Sequence, residues 1–455
     1  MYIAIVNKAP QEYERYFAML TFPRMLPALA STTLADRTRR RINRRLMPFL
    51  FLLYIIAFLD RINVSFAGLD MTRELGFSDQ VFGFGSGIFF VGYVLLEIPG
   101  SLLVEVWSAR KWIARIMLSW GLVASLTGLI HTAGQFYWAR FVLGVAEAGF
   151  FPGLIVYLTH WYRDEDRARA IGWFMSAIPI SQILGAPISA ALMKIHWFGY
   201  SGWRWLLILE GLPAVAAGIA TLYYLTDRPE DAHWLPDEER DWLTGELERE
   251  KQAKARLPKV TIWQAFYHRD VILLTLVYFC GSCAQYGFSL WLPKMIQKLS
   301  GFSSFEVAMV AAIPFLASFP YMLLLGWSSD RTGERRWHTA VALVTLGAGL
   351  AGSIWTGDNV PLGILMFSIA GMGVNGRLPA FWALPAALLG GATAAASIGA
   401  INCFGNLGGF VGPYLLGALS ATTGSYTSGI WLLAGASFCG AFLILLVRKP
   451  AVNGK

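Results

Sequence analysis

The stretch "LGVAEAGFFPG", Leu143 to Gly153, lies in a long apolar run and carries one carboxylate, Glu147; Arg140 stands seven residues before it. Seven residues is nearly two helical turns, so in a helix the two charges share a face about 10 Å apart. That is too far for direct contact along one helix. Ionised groups inside a bilayer cost several kcal/mol unless they are paired or hydrated. The face bearing Arg140 and Glu147 is therefore expected to line a central cavity. Another span, water or a ligand must supply the partners.

The rest of the chain repeats the apolar pattern. Of 455 residues 56% are hydrophobic and 15% charged, against about 25% charged in an ordinary soluble domain. Mean hydropathy is +0.50. A span needs about 20 apolar residues to cover roughly 30 Å of hydrocarbon. Twelve such segments are predicted, at 46–68, 82–104, 112–131, 135–158, 168–192, 204–225, 268–292, 304–325, 338–356, 361–386, 392–416 and 425–447. The fold class is an all-α membrane protein.

Residues 1–45 read as a cytoplasmic tail of low structural content, ending in the basic cluster Arg37 to Arg45, with no cleavable signal peptide. Asp227 to Lys259 holds ten acidic and seven basic residues and reads as a helical linker. It separates six-span bundles at 46–226 and 261–447, with a short tail at 448–455.

The net charge of +8 is explained by Lys and Arg in cytoplasmic loops rather than by a nucleic-acid partner. The Arg37 cluster, then Arg110, Lys111 and Arg115, then Arg163, Arg167 and Arg169, the linker, Arg331, Arg335 and Arg336, and finally Arg448 and Lys449 all fall on one side if every span crosses once. Opposite loops carry only Arg73, Lys194, Lys294 and Lys298. Both termini are thus predicted to be cytoplasmic. "GSLLVEVWSARKW" from Gly100 and "GWSSDRTGERRW" from Gly326 each follow the second span of their half. Matching positions in two halves suggest an internal repeat.

"YIIAFLDRINVSFAG" (Tyr54 to Gly68), "GIFFVGYVLLEIPGSLL" (Gly87 to Leu103), "RFVLGVAEAGFFPGLIVYLTHWY" (Arg140 to Tyr162), "GWRWLLILEGLPA" (Gly202 to Ala214) and "FWALPAALLGG…INCFGNLGGFVGPYLLG" (Phe381 to Gly417) together resemble the major facilitator superfamily. The nearest likeness is to its anion:cation symporter branch, whose members import organic acids such as tartrate, glucarate, galactonate, phthalate and hydroxyphenylacetate. The likeness runs from about Arg44 to Lys449. It implies two pseudo-symmetric six-helix halves in a bacterial inner membrane, able to work as a monomer among lipid. It also implies proton symport of a small organic anion with no cofactor. The loop residues Asp330, Arg331, Gly333 and Arg336 match the superfamily's cytoplasmic latch. In the first copy Glu105 and Arg110 remain, but Val106 replaces the usual arginine and Ser108 the usual glycine.

Within this frame Arg61 and Arg140 are candidates for the substrate, because a guanidinium fork donates two parallel bonds to a carboxylate. Arg61 is the expected direct contact, and Arg140 tunes a neighbouring acid. Asp60 and Glu147 are the expected proton carriers, since a partly buried carboxyl can change charge in a useful range. Asn63 in the first span needs polar surroundings and is also expected on the substrate. Tyr93 offers a hydroxyl. Gln285, Tyr286, Trp382, Asn402 and Asn406 supply neutral polar or aromatic groups; the two asparagines are one turn apart and share a face. Arg377, in the tenth span, reads either as a second anion contact favouring a dicarboxylate or as a charge paired with an acid elsewhere. Clustered glycines (Gly144, Gly149, Gly153; Gly405, Gly408, Gly409, Gly412) suit close helix packing, and Pro152 and Pro413 permit kinks.

Other classes fare less well. His131, His160, His196, His233, His268 and His338 are scattered, with no local metal-ligand spacing. Cys280 and Cys283 read as metal ligands, a redox pair or small apolar residues of a span, and the last fits their apolar setting. A glycine-rich nucleotide loop with its lysine is not seen. Organic-anion exchange or export on the same fold remains the alternative to import, and no catalytic cluster points to an enzyme.

Overall fold

In lipid the backbone must satisfy its own polar groups, so apolar runs of span length become helices. A computed structural model describes residues 33–255, 264, 267–388 and 391–449. Its helices are α1 Leu34–Glu74, α2 Asp79–Val106, α3 Ala109–Thr127, α4 Ala133–Glu147, α5 Phe150–Thr159, α6 Asp164–Met175, α7 Ala177–Leu192, α8 Gly202–Tyr224, α9 Asp237–Ala255, α10 Arg269–Ser300, α11 Ser304–Val310, α12 Ala312–Thr332, α13 Arg336–Ser353, α14 Val360–Gly376, α15 Leu378–Leu388, α16 Gly391–Gly405, α17 Gly408–Thr423 and α18 Thr427–Leu446. Among the described residues there is no strand, and nine stretches are long and apolar enough to cross a membrane. The helical segments α3, α13 and α16–α17 stand outside that count. Large side chains such as Trp138, Leu126 and Leu324 are more than half exposed on the bundle's flanks, as lipid-facing residues are.

The first helix begins at Leu34, twelve residues before the expected start. The Thr33 hydroxyl caps the Asp36 N–H at 3.2 Å. The basic cluster then finds acids: Arg39 pairs with Asp166 at 2.8 Å and Arg41 with Glu239 at 3.0 Å. Glu239 belongs to α9, which falls in the segment expected to be a linker, and α9 docks on α1. Residues 1–32 and 256–263 lie outside the described residues.

Five predicted spans are each split into two helices, at Gly149, Ser176, Ala311, Arg377 and Asn406–Leu407. Proline explains the register of four breaks. Pro152, Pro179, Pro314 and Pro379 all fall in the first turn of the second helix, where a missing N–H costs nothing. The expected kink at Pro152 therefore lies just before it, at Gly149, whose φ of +81° is open to glycine and strained for other residues. The kink expected at Pro413 is displaced: the break precedes Gly408, and Pro413 stays inside α17.

Helix packing uses small residues as expected. A Cβ on Gly144 would lie 1.9 Å from the Phe89 carbonyl oxygen, so α4 can rest on α2 only with glycine there. Contacts also join the sequence-distant parts: α2 packs on α17, α1 on α10, and α7 on both α11 and α12. At one end, Lys294 of α10 pairs with Asp79 of α2 at 3.0 Å, and Ser304 donates to Asp70 at 2.9 Å. All four cysteines are free, and Cys283 is buried.

Candidate functional site

A narrow cavity of about 50 Å³ lies where α1, α2, α10 and the broken segments around α5–α7 and α15–α17 converge. Arg61, Tyr93, Gln285, Tyr286, Trp382, Asn402 and Asn406 all line it, with Tyr54, Phe58 and Tyr278. Seven of the nine residues expected on the substrate thus converge from distant parts of the chain. The helix break at Asn406–Leu407 leaves the asparagine pair on one face, since the Asn406 N–H still bonds the Asn402 carbonyl at 3.0 Å. A larger groove, about 440 Å³, opens between α9 and the ends of α5 and α6. It is a surface feature beside α9, and Arg61, Arg140, Glu147 and Asp60 are not in it.

Arg61 is the cationic wall of the cavity. Its Nη2 donates to Glu147 of α4, and its side chain is 14% exposed while that of Glu147 is 1% exposed. The guanidinium sits 5.0 Å from the Phe58 ring, 5.4 Å from Tyr93 and 5.6 Å from Phe89. These rings hold it in one place and attract its charge. Glu147 ends α4, immediately before the Gly149 break. Glu147 and Arg140 themselves are not among the lining residues, contrary to the sequence expectation; Arg61, which pairs with Glu147, is. Arg140 is 2% exposed and lies over Phe89 at 5.0 Å, with no ion pair or hydrogen bond among the described residues.

Asn63 is also not at the cavity. It points along α1 and donates to Asp60 Oδ1 at 3.1 Å. Asp60 Oδ2 is buried without a partner, and so is the nearby Trp120 Nε1. Asp60 therefore faces away from the cavity, within electrostatic reach of Glu210 of α8. Glu210 accepts from Ser189 at 3.0 Å and keeps its Oε2 unpartnered.

Two carboxylates escaped the sequence reading. Glu97 of α2, 4% exposed, accepts from Asn402 Nδ2, and its Oε2 has no partner. Glu210 is 5% exposed. Each is a lone acid in an apolar run, "VLLEIPG" and "LLILEGLP". The argument that singled out Glu147 applies to both. Asn375 was not readable in this way. Its Nδ2 joins Gln182 Oε1 at 2.8 Å and Ser318 Oγ at 2.7 Å.

The two loops are anchored differently. Arg110 N–H and the Ser108 hydroxyl both bond Asp227, at 2.8 and 2.7 Å; the side chain of Glu105 lies outside the described residues. In the second loop, Gly333 caps α12 with φ +67°, and Asp330 pairs with Arg335 at 2.5 Å. Arg336 donates to the carbonyls of Val447 at 2.7 Å and Leu445 at 3.3 Å. Arg331 lies 5.5 Å from the Trp327 ring.

Known proteins resemble about nine-tenths of the chain. Over 423 residues it is 43% identical to a protein of Agrobacterium vitis named "Putative tartrate transporter", covering 92% of this chain and 97% of that one. It is 35% identical over 410 residues to a "Quinolone resistance transporter" of Acinetobacter baumannii, covering 90% and 94%. A solved structure of a bacterial homolog to the human lysosomal transporter Spinster superposes with a TM-score of 0.70 at 15% identity, over 92% of this chain and 96% of that one. The sequence profile of the Major Facilitator Superfamily matches residues 50–413 and 301–455. The chain is a member of the Major Facilitator Superfamily, a transporter rather than an enzyme.

Proposed function

We propose that the protein imports a small hydroxylated organic anion, tartrate-like or a sugar acid, together with protons across a bacterial inner membrane. Two six-helix halves, residues 46–226 and 261–447, would rock about the central cavity with both termini in the cytoplasm. The basic loops support that orientation, and the tartrate-transporter relative supports the substrate class.

One observation carries the reading: Arg61 lines the cavity and is paired on its buried side with Glu147. A guanidinium that lines the cavity is offered to a carboxylate, yet it is already engaged by one. A substrate carboxylate and Glu147 compete for the same fork. A proton on Glu147 removes its charge and releases Arg61 to the substrate. Loss of the substrate into the cytoplasm restores the competition and returns the proton. Binding and protonation are thereby linked through one side chain. Asp60, Glu97 and Glu210 each keep a buried, unpartnered oxygen, and an ionised carboxylate there is costly unless a proton neutralises it. Asp60 is the second proposed proton carrier. Tyr93, Tyr286, Trp382, Asn402 and Asn406 would shape the cavity around the substrate's hydroxyls, and Arg140 supplies a fixed positive charge behind Glu147. The latch loops, with Arg110, Asp330, Gly333 and Arg336, would hold each half together during rocking.

The test is uptake of labelled tartrate, galactonate and phthalate into proteoliposomes with and without an inward proton gradient. Accumulation of one acid, abolished by a protonophore and by Glu147→Gln, is the expected result. Uptake that ignores the gradient but needs internal anion would make the protein an exchanger. The quinolone-resistance relative favours export as the second reading, and drug efflux from inverted vesicles would reveal it.

A further inference from the structure

Arg377 forms the break between α14 and α15 and is 1% exposed. One face of α10 cradles it. Tyr278 lies 5.3 Å beneath its guanidinium. Gly281, one turn on, makes the room: a Cβ there would sit 3.1 Å from Cζ and Nη1. Gln285, one further turn on, accepts from Nη2 through its Oε1 at 2.5 Å. Among the described residues no carboxylate comes within ion-pair distance of Arg377, and its Nε has no hydrogen-bond partner. The structural acid that the sequence allowed for is therefore not beside it. Direct contact with the cavity is also missing, because Gln285 and Tyr278 line the cavity and Arg377 stands behind them.

Arginine only donates hydrogen bonds. It must face the carbonyl end of the Gln285 amide, which fixes the orientation that an isolated glutamine would leave open. The amide NH2 is then the end left to donate into the cavity. A buried positive charge with no counter-ion also lies directly behind that donor, and an anion in the cavity would be its natural compensation.

We infer that Arg377 is a positioning residue that turns Gln285 into the donor of a second anion subsite, on a different helix from Arg61. This rests on the proposed transport of an organic anion by the same cavity and narrows it to a dicarboxylate. One carboxylate meets Arg61 and the other meets Gln285.

The experiment compares uptake of tartrate, with two carboxylates, and glycerate, with one, in proteoliposomes of the full-length protein. Arg377→Gln should raise KM for tartrate about tenfold or more, the loss of a charge-backed hydrogen bond, and leave KM for glycerate within about twofold. Gln285→Leu should likewise raise KM for tartrate more than KM for glycerate, and Arg377→Gln should add nothing in the Gln285→Leu background. Arg377→Lys, which keeps charge and donor, should restore part of the tartrate affinity. Equal loss for both acids, or effects of the two single variants that multiply, would overturn the inference. If Arg377→Gln does not fold, Gln285→Leu alone decides, and an unchanged tartrate-to-glycerate ratio sinks the idea. A wild type that carries glycerate but no dicarboxylate refutes this inference and leaves anion transport standing. A wild type that carries no organic anion refutes both.

Discussion

Lys294 and Asp79 are 215 residues apart in sequence and 3.0 Å apart in space. Ser420 of α17 donates to the other oxygen of the same carboxylate at 2.7 Å, so three helices are tied at one point. Lys294 is 8% exposed, and its ammonium also lies 4.7 Å from the Phe82 ring. Removing one member leaves a nearly buried charge without its partner. Asp79→Asn and Lys294→Met should each destabilise by about 1–3 kcal/mol, the cost of leaving a largely buried group unsatisfied, and the double variant should cost less than the sum. Thermal melting of the four proteins in detergent gives the coupling energy; strict additivity would show that the pair does not hold the helices.

The Arg61–Glu147 pair predicts a split between two assays. Glu147→Gln cannot shed or take a proton. It should lose concentrative uptake while retaining exchange of labelled against unlabelled substrate. Arg61→Lys keeps a charge but loses the planar fork, and both activities should fall by about tenfold or more. If Glu147→Gln still accumulates substrate against a gradient, the proton does not travel through this residue.

Asn402 reports on Glu97. Its amide faces a carboxylate across two helices, so Asn402→Asp would set two acids against each other. One of them must then hold a proton for the protein to pack. Uptake by this variant should be low at neutral pH and recover on acidification, whereas Glu97→Gln, which keeps the acceptor oxygen, should abolish that dependence in the double variant. A flat pH profile for Asn402→Asp would count against the contact.

Two glycines should be intolerant for different reasons. Gly144→Ala drives a methyl into the Phe89 carbonyl, and separated helices lose packing that lipid does not replace. No monodisperse protein is expected by size-exclusion chromatography. Gly149→Ala meets backbone at 3.2 Å and must also adopt φ +81°, a penalty of about 1–2 kcal/mol that lowers the melting temperature but leaves a folded protein.

The sequence exposed most of the site because lipid makes polarity conspicuous. Arg61, Gln285 and Asn402 stood out against apolar neighbours, and all three reach the cavity. Which face of a helix a residue occupies was less legible. Asn63 is three residues from Asp60 and bonds it, so the pair turns away together behind α1. Arg140 and Glu147 were placed at the cavity by helical spacing and the cost of charge in lipid, and neither reveals that Glu147 is covered by an arginine of another helix. Of the span interruptions, the one near Pro152 was expected from the sequence, and those near Pro179, Pro314 and Pro379 were not. A proline in a span signals a kink, but only its fall within a first turn dates the break to two or three residues earlier.

Arg140 has a consequence for the electrical balance of the bundle. Among the described residues, the central region holds three guanidiniums, Arg61, Arg140 and Arg377, and four carboxyls, Asp60, Glu97, Glu147 and Glu210. With every group ionised this region carries a net charge of minus one, which disfavours an anion in the cavity it surrounds. Two protons make it positive by one. Protons should therefore bind first and leave last. A doubly charged substrate carried with two protons would also move no net charge, and the membrane potential, worth about 2.3 kcal/mol per charge at 100 mV, would neither drive nor oppose it. Uptake current on a solid-supported membrane then counts the protons: no current means two per dianion, and a positive inward current means that a third carboxyl takes part.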